Sequence, residues 1–321
     1  MTVLVTGLGY IGSAVARALL ERGERVVAVE NMFSTLPRVV ARLGAPDRFR
    51  LVRGSINSPL TLDQAFAGED VRAVIHLAAQ ASAHPRAATA SYTERTNLVG
   101  PRLVFERAAQ AGALTWIHGS SFRVYGDELA GAVDEDAPYG KLVDLAHLSK
   151  VYAEKLIEML AGQHGARAVN ARLGVVYGLG PVMKRDPRFL TVPNLFCMRT
   201  AAAQPLTVHP GANRPIGFVH LDDAVRALLS LLDQTGNATC AAANVVTEVL
   251  TVGEVADHVG AAAAARGLEV RVEGAAPAPM ERWRVISRLD PGLTVASRDM
   301  ASAVGEVLDY YLECLGHDPA R

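Results

Sequence analysis

Residues 144–155 read DLAHLSKVYAEK, at the start of an amphipathic run that extends to Gly165. The period is that of a helix, so Ala146, Lys150 and Glu154 share one face, with Ser149 beside them. A lysine beside a hydroxyl can hold and polarise an oxygen-rich ligand. Ala146, one turn before Lys150, has nothing that moves a proton. His147 does, but it points about 100° away from the Ala146–Lys150 face. A second chemical element lies at the N-terminus, where VLVTGLGYIGS places Gly7, Gly9 and Gly12 in a G-x-G-x-x-G between an apolar strand and a helix. Glycines there permit a tight turn and let backbone N–H groups and the helix N-terminus approach a pyrophosphate. Glu30 ends the next strand and could accept ribose hydroxyls, which favours NAD. Asn31, Ser34 and Arg38 follow and could receive a 2′-phosphate, so NAD and NADP both stay open.

These residues must be positioned by a sheet. TVLVTG, RVVAVE, AVIHLAA and LTWIHGSS read as buried strands, SAVARALLERG as a helix closed by glycine, and residues 97–111 as another helix. ARAVNARLGVVYG reads as one strand after the long helix, IGFVHLDDAVRALLSLLD as strand and helix, AANVV as a strand, and TVGEVADHVGAAAAARG as a helix. Strands alternating with helices imply an α/β fold with a Rossmann-type doubly wound parallel sheet. From Gly178 to about Pro215 prolines and glycines break the alternation. The expected layout is residues 1–177 and about 215–248 as a dinucleotide-binding domain, and about 178–214 and 249–321 as a smaller, discontinuous substrate-binding domain.

With 321 residues, half of them hydrophobic, a fifth charged and a net charge of −1, the chain has ample core. It offers no electrostatic attraction for nucleic acid or an anionic membrane. Three cysteines, Cys197, Cys240 and Cys314, have no metal-ligand spacing, and no metal is expected; they fit a reduced, cytoplasmic setting. The N-terminal strand has no basic segment ahead of it, so no signal peptide is expected. The alanine tract 260–267 is too short to span a bilayer.

VTGLGYIGS, VIHLAAQAS, Asn97 in TNLVG, SSFRVYG, SKVYAEK, ARLGVVYGLGP and FVHLDDAVRALL together make the chain similar to the extended short-chain dehydrogenase/reductase family, the NAD-dependent epimerase/dehydratases. The resemblance covers nearly the whole chain and implies about seven strands with a small C-terminal substrate domain. It assigns the pyrophosphate to Gly7, Gly9, Tyr10, Ile11 and Gly12, the adenosine ribose to Glu30 and Asn31, and the adenine border to Ile56 and Ser55. Leu77, Ala78 and Ala79 would line the nicotinamide side, Lys150 would bind the nicotinamide ribose, and Ser121 would face the reacting carbonyl. Asn97 would brace the helix that carries a water path in the family, and it is counted with the cofactor-binding residues. Ser82, Phe122, Ala146, His147 and Val175 fall at substrate positions. Family members often dimerise through two helices of the Rossmann domain, which makes a homodimer an expectation.

The departures bear on chemistry. The glycine loop is one residue shorter than the family's T-G-x-x-G-x-x-G, and Ser55 stands where an acidic residue usually follows Gly54. Ala146 replaces the family's tyrosine, and Val175 replaces an asparagine that contacts nucleotide sugars. Phe122 and Arg123 occupy the place of the Asp-Glu pair of 4,6-dehydratases, and Ile216 that of an arginine, with Arg214 displaced upstream. Oxidising a sugar alcohol needs a base that alanine cannot supply. Reducing a ketone needs only a proton source, and a phenol of the substrate has the acidity of tyrosine, pKa about 10. The chain is similar in this to a tyrosine-less angucyclinone ketoreductase of the family. The expectation is therefore an NAD(P)H-dependent ketoreductase, NADP(H) favoured and NAD(H) possible, acting on a polycyclic aromatic polyketide ketone in antibiotic biosynthesis. Two alternatives stand beside it. One is a nucleotide-sugar epimerase or dehydratase with Tyr139 or His147 as displaced base; the other is a non-catalytic NAD(P)-binding regulator. Plainer roles were also expected for some of these groups: His118 and His220 as sheet residues, Asp222 and Asp223 as helix caps, Trp116 and Phe122 as packing.

Overall fold

The computed structural model describes residues 1–35, 43, 47–82, 84, 86–142, 144–234, 240–274 and 281–316. Seven strands, β1 (Thr2–Thr6), β2 (Arg25–Glu30), β3 (Phe49–Arg53), β4 (Val71–His76), β5 (Thr115–Ser121), β6 (Arg167–Leu173) and β7 (Cys240–Val245), form one sheet. Every pairing is parallel, in the order β7-β6-β5-β4-β1-β2-β3. This is the doubly wound sheet expected from the buried apolar runs. The helices are α1 (Tyr10–Glu21), α2 (Pro59–Phe66), α3 (Gly100–Gln110), α4 (Leu145–His164), α5 (Val192–Ala201), α6 (Leu221–Asp233), α7 (Val252–Ala264) and α8 (Met300–Gly316).

Two apolar layers sandwich the sheet. On one face Val15 and Leu19 of α1 and Leu228 and Leu231 of α6 pack on Val3, Val5 and Ile75. On the other, Phe66 of α2, Val104 and Phe105 of α3 and Ile157 and Leu160 of α4 cover Leu4, Val27 and Val74. Removing each such side chain from water contributes about 1.5–3 kcal/mol. A third core joins α5, α7 and α8 through Phe196, Val255, Val259, Val304 and Leu308, outside the main sheet. Among the described residues no helix is long and apolar enough to cross a membrane.

The structure departs from the sequence reading at several places. ARAVNARLGVVYG is two strands. Gly174 N donates its hydrogen bond to Val245 O at 2.9 Å, the last link to the main sheet. Residues Val175–Tyr177 then leave it and pair in parallel with Ile216–His220, which also pairs antiparallel with Glu248–Leu250. Ile216–His220 therefore lies outside the main sheet, while α6, which follows it, packs on that sheet. The break needs glycine: a Cβ on Gly174 would come 2.8 Å from Gly217 O. The helix expected over residues 97–111 begins earlier, with Ala90–Glu94 and a π-helical turn Arg95–Val99 before α3. Strand β3 and helices α2 and α8 were not foreseen.

Gly174→Ala is expected to destabilise the protein by about 1–3 kcal/mol, because the added methyl meets backbone that cannot swing away. Urea denaturation checks this, and a loss under 0.5 kcal/mol would show that the strand switch tolerates a side chain.

Candidate active site

Parallel strands present their C-terminal ends on one edge of the sheet, and a crevice opens where the order reverses, between β1 and β4. The glycine loop lies there. Gly7 adopts φ +81°, and a Cβ on Gly12 would sit 1.8 Å from Gly7 O, so the turn closes only around glycine. Gly9 caps α1, which has no acidic residue in its first turn, so its N-terminus faces the crevice with its positive end uncompensated. Glu30 is buried; its carboxylate accepts Leu8 N–H at 2.7 Å with one oxygen and Met32 N–H at 2.7 Å with the other.

One cavity of about 730 Å³ runs from this loop past the end of β5 to α5. Its cofactor end is lined by Gly7, Gly9, Tyr10, Ile11, Gly12, Glu30 and Asn31, with Ser55 and Ile56 beyond. Leu77, Ala78 and Ala79 form the middle, and Ser82, Ser121, Phe122, Ala146, His147, Lys150 and Val175 the far end. Arg38 lies outside the described residues. Asn97 does not line the cavity. It stands behind the wall, where its amide donates to Gln80 O (2.8 Å) and Ser149 Oγ (2.9 Å) and its oxygen accepts Gln80 N–H (2.8 Å). It therefore acts on the site only by fixing the β4 loop against α4.

Lys150 is buried, and its Nζ donates to Gly119 O at 2.6 Å. Burial lowers its pKa to about 8, partly offset by Glu154. His76 and His118, stacked with centroids 5.6 Å apart, lie in the sheet interior, and burial holds both pKa values far below the usual histidine range. Ser121 Oγ accepts Arg123 N–H at 3.2 Å as the cap of a short 3-10 turn. Its own proton is thus available to a ligand oxygen in the cavity.

Tyr139 is not on the cavity wall. Its hydroxyl donates to Glu154 at 3.0 Å, within a buried cluster where Glu154 also accepts from Ser120 and pairs with Arg172 at 2.8 Å. Burial and the Glu154 charge push its pKa up, against any role as acid. His147 also lines the cavity, which opens over more than one face of α4. Its Nδ1 meets both Asp144 oxygens, at 2.7 and 2.8 Å. Burial pushes the Asp144 carboxyl up, but the hydrogen bonds from His147 outweigh it and leave the pKa at about 2.

Arg214, although displaced in sequence, lines the cavity and pairs with Asp127 at 2.7 Å, as does Arg123 at 3.3 Å. Asp222 and Asp223 stand in the first turn of α6. His220 caps that helix by accepting Asp222 N–H, and Trp116 is buried in the core. Phe122 packs face to face on Trp283, centroids 5.3 Å apart and planes 14° apart, and both line the cavity. Trp283 was not singled out in the sequence; it lies in the irregular tail, and no local motif marks it. Lys184 was missed for the same reason. Among the described residues no group of three or more potential ligands could hold a metal ion.

The family model for the NAD-dependent epimerase/dehydratase family matches residues 3–245. The chain is 30% identical over 245 residues to dTDP-4-dehydro-6-deoxy-D-allose reductase of Streptomyces bikiniensis, covering 72% of each. It is 26% identical to UDP-glucuronic acid decarboxylase 1 of Arabidopsis thaliana over 72% of this chain and 51% of that one. Against this and UDP-glucuronate 4-epimerase 1 of the same plant, the chain spans about half of the relative's length, 51% and 56%. Among solved structures, UDP-glucose 4-epimerase of Thermus thermophilus in complex with NAD superposes with a TM-score of 0.78 at 25% identity, covering 97% of this chain and 99% of that one. With the glycine loop, crevice and Ser121–Lys150 frame in place, the chain belongs to the NAD-dependent epimerase/dehydratase family of extended short-chain dehydrogenases/reductases.

Lys150 makes a pH prediction. Its pKa in the fold is about 8, and in the unfolded chain about 10.4. Between these values the unfolded chain holds more protons, so this residue's contribution to stability rises with pH. From pH 8 to 9.5, wild type should gain about 1–2 kcal/mol relative to Lys150→Met in urea denaturation. An unchanged difference between the two proteins would mean that the buried amine keeps an ordinary pKa.

Proposed function

We propose that the protein is an NAD(P)H-dependent ketoreductase, with NADPH the favoured reductant, acting on a carbonyl of a polycyclic aromatic polyketide. The observation that carries the reading is the wall beside Lys150: Ala146, 7% exposed and one turn earlier on the same helix face, stands there in place of a proton-bearing side chain. Among the described residues the tyrosines lining the cavity are Tyr10 and Tyr92, both at the cofactor end and both engaged, with Gly178 O and Asn31 respectively.

A nicotinamide dinucleotide, when bound, supplies hydride to the carbonyl carbon. Gly7, Gly9, Gly12 and the start of α1 suit its pyrophosphate, Glu30 borders its ribose end, and Lys150 suits its second ribose. Ser121 donates to the carbonyl oxygen as that oxygen becomes an alkoxide. The alkoxide then needs one proton. A phenol beside the ketone can transfer its proton to that oxygen and regain one from water, so atoms and charge balance without an enzyme acid. The Phe122–Trp283 pair offers an apolar aromatic face. Val175 offers no amide to a sugar. Arg123 and Arg214 are both paired with Asp127, and Arg188 with Asp186. Arg188 is thereby neutralised, while Arg123 and Arg214 share one carboxylate and keep a net charge of +1, less than the two negative charges of a diphosphate call for.

A second reading has its own support: the relatives named above act on nucleotide sugars, and His147, held by Asp144, would have to act as the base. Purified protein with NADPH or NADH, offered hydroxylated polycyclic ketones and UDP- or dTDP-sugars in parallel, separates the two. Cofactor oxidation with the aromatic ketones alone is expected; conversion of a nucleotide sugar would sink the reading. His147→Ala should keep most of the turnover, whereas a loss of about 10³-fold, some 4 kcal/mol, would assign the proton to that imidazole. Ala146→Tyr is expected to block a bulky aromatic substrate, seen as a raised KM, rather than to speed its reduction.

A further inference from the structure

Lys184 lies on the irregular segment between Val175–Tyr177 and α5, in the lobe remote in sequence from the glycine loop. Yet its side chain reaches across to the end of β2. Nζ donates to Ser34 O at 2.9 Å and to Ser34 Oγ at 2.6 Å, and lies 3.5 Å from Thr35 Oγ1. It is also 3.5 Å from where a Cβ on Gly9 would be. Its backbone carbonyl accepts the Tyr311 hydroxyl of α8 at 3.1 Å, so the segment is fastened from behind. Lysine, serine and glycine loop all line the same cavity.

The three oxygens around this ammonium are uncharged. Burying a cation among neutral acceptors is costly, and burial lowers the Lys184 pKa to about 8, with Glu30 partly offsetting it. Glu30 is not free to be its partner, since both carboxylate oxygens are taken by the Leu8 and Met32 amides. A site with an uncompensated cation and a serine hydroxyl is complementary to an anion that arrives with a ligand. Its place decides which anion. Ser34 and Thr35 lie four and five residues beyond the end of β2, in the segment after Glu30 that borders the adenosine ribose in the dinucleotide reading, whereas the pyrophosphate belongs over the N-terminus of α1.

The geometry points to Lys184 and Ser34 as the receptor for the 2′-phosphate of NADP(H), contributed across the crevice by the smaller lobe. This rests on reading the crevice as a dinucleotide site and not on which ketone is reduced. It also answers the objection posed by Glu30, whose charge is turned to backbone amides while the lysine faces the ribose side.

Calorimetry with adenosine 2′,5′-bisphosphate and 5′-AMP tests it, because the two probes differ only in the 2′-phosphate and neither requires turnover. Wild type should bind the bisphosphate about tenfold or more tightly than 5′-AMP. Lys184→Gln should bring the ratio to within about threefold of unity and leave 5′-AMP binding nearly unchanged. Lys184→Arg should keep most of the preference, and Ser34→Ala should lose part of it, which guards against misreading a folding defect. A preference that survives Lys184→Gln, or equal losses for both probes, would overturn the assignment. So would a wild type without preference. Failure of wild type to bind either nucleotide would overturn the dinucleotide reading as well, whereas failure of the ketone panel alone would leave this result standing.

Discussion

A buried carboxylate holds the cofactor end together. Glu30, at the end of β2, accepts the Leu8 and Met32 amides, one with each oxygen. It ties the glycine loop after β1 to the turn after β2 and satisfies donors that would otherwise be buried unpaired. The tight Gly7–Gly12 contact sets where α1 begins and therefore where its positive end points. The segment that follows Glu30 then stands where the smaller lobe can reach it through Lys184. The glycine loop and the segment that Lys184 reaches thus meet at one buried side chain that is hydrogen-bonded through both oxygens.

The reacting end is built on a different logic. Lys150 is held by a strand carbonyl, and Ser149, its neighbour on α4, is held by Asn97. Behind them the Glu154–Arg172 pair, with Ser120 and Tyr139, fastens α4 to β5 and β6. Removing one partner of such a pair would leave an uncompensated charge in the interior, so the cluster resists piecemeal change. Tyr139 is part of this support, which explains why a tyrosine near the site in sequence is not in it. The frame around Lys150 is thus firmly held, while the wall one turn before it on α4 is the methyl group of Ala146, beside apolar and aromatic surface.

Much of this was legible in the chain itself. Buried parallel strands must be near-continuous apolar runs, so β1, β2, β4 and β5 show directly. A glycine triplet before a helix has few uses other than close approach to phosphate. The absence of a proton donor at Ala146 is a matter of residue type alone. That His147 lines the cavity as well could not be read from helix periodicity, which says which residues share a face but not how wide a cavity is. It opens over more than one face of α4, and Asp144 holds the His147 ring. The strand switch at Gly174 was hidden because a single glycine between two strand-like runs does not by itself mark a change of sheet; only the approach of Gly217 reveals it.

The sequence by itself determined the doubly wound sheet, the glycine loop between strand and helix and the alanine at position 146, since each depends on local pattern or on the chemistry of one residue. Only the tertiary structure decided which distant side chains complete the site. Trp283 arrives from the irregular tail to stack on Phe122, Arg214 reaches the cavity despite its displaced position, and Lys184 crosses to Ser34. Nothing local marks Trp283 or Lys184, and Arg214 stands out only as an arginine displaced from its family position. Their roles come from long-range packing, which brings together side chains far apart in the chain and leaves no period or spacing by which they could be read.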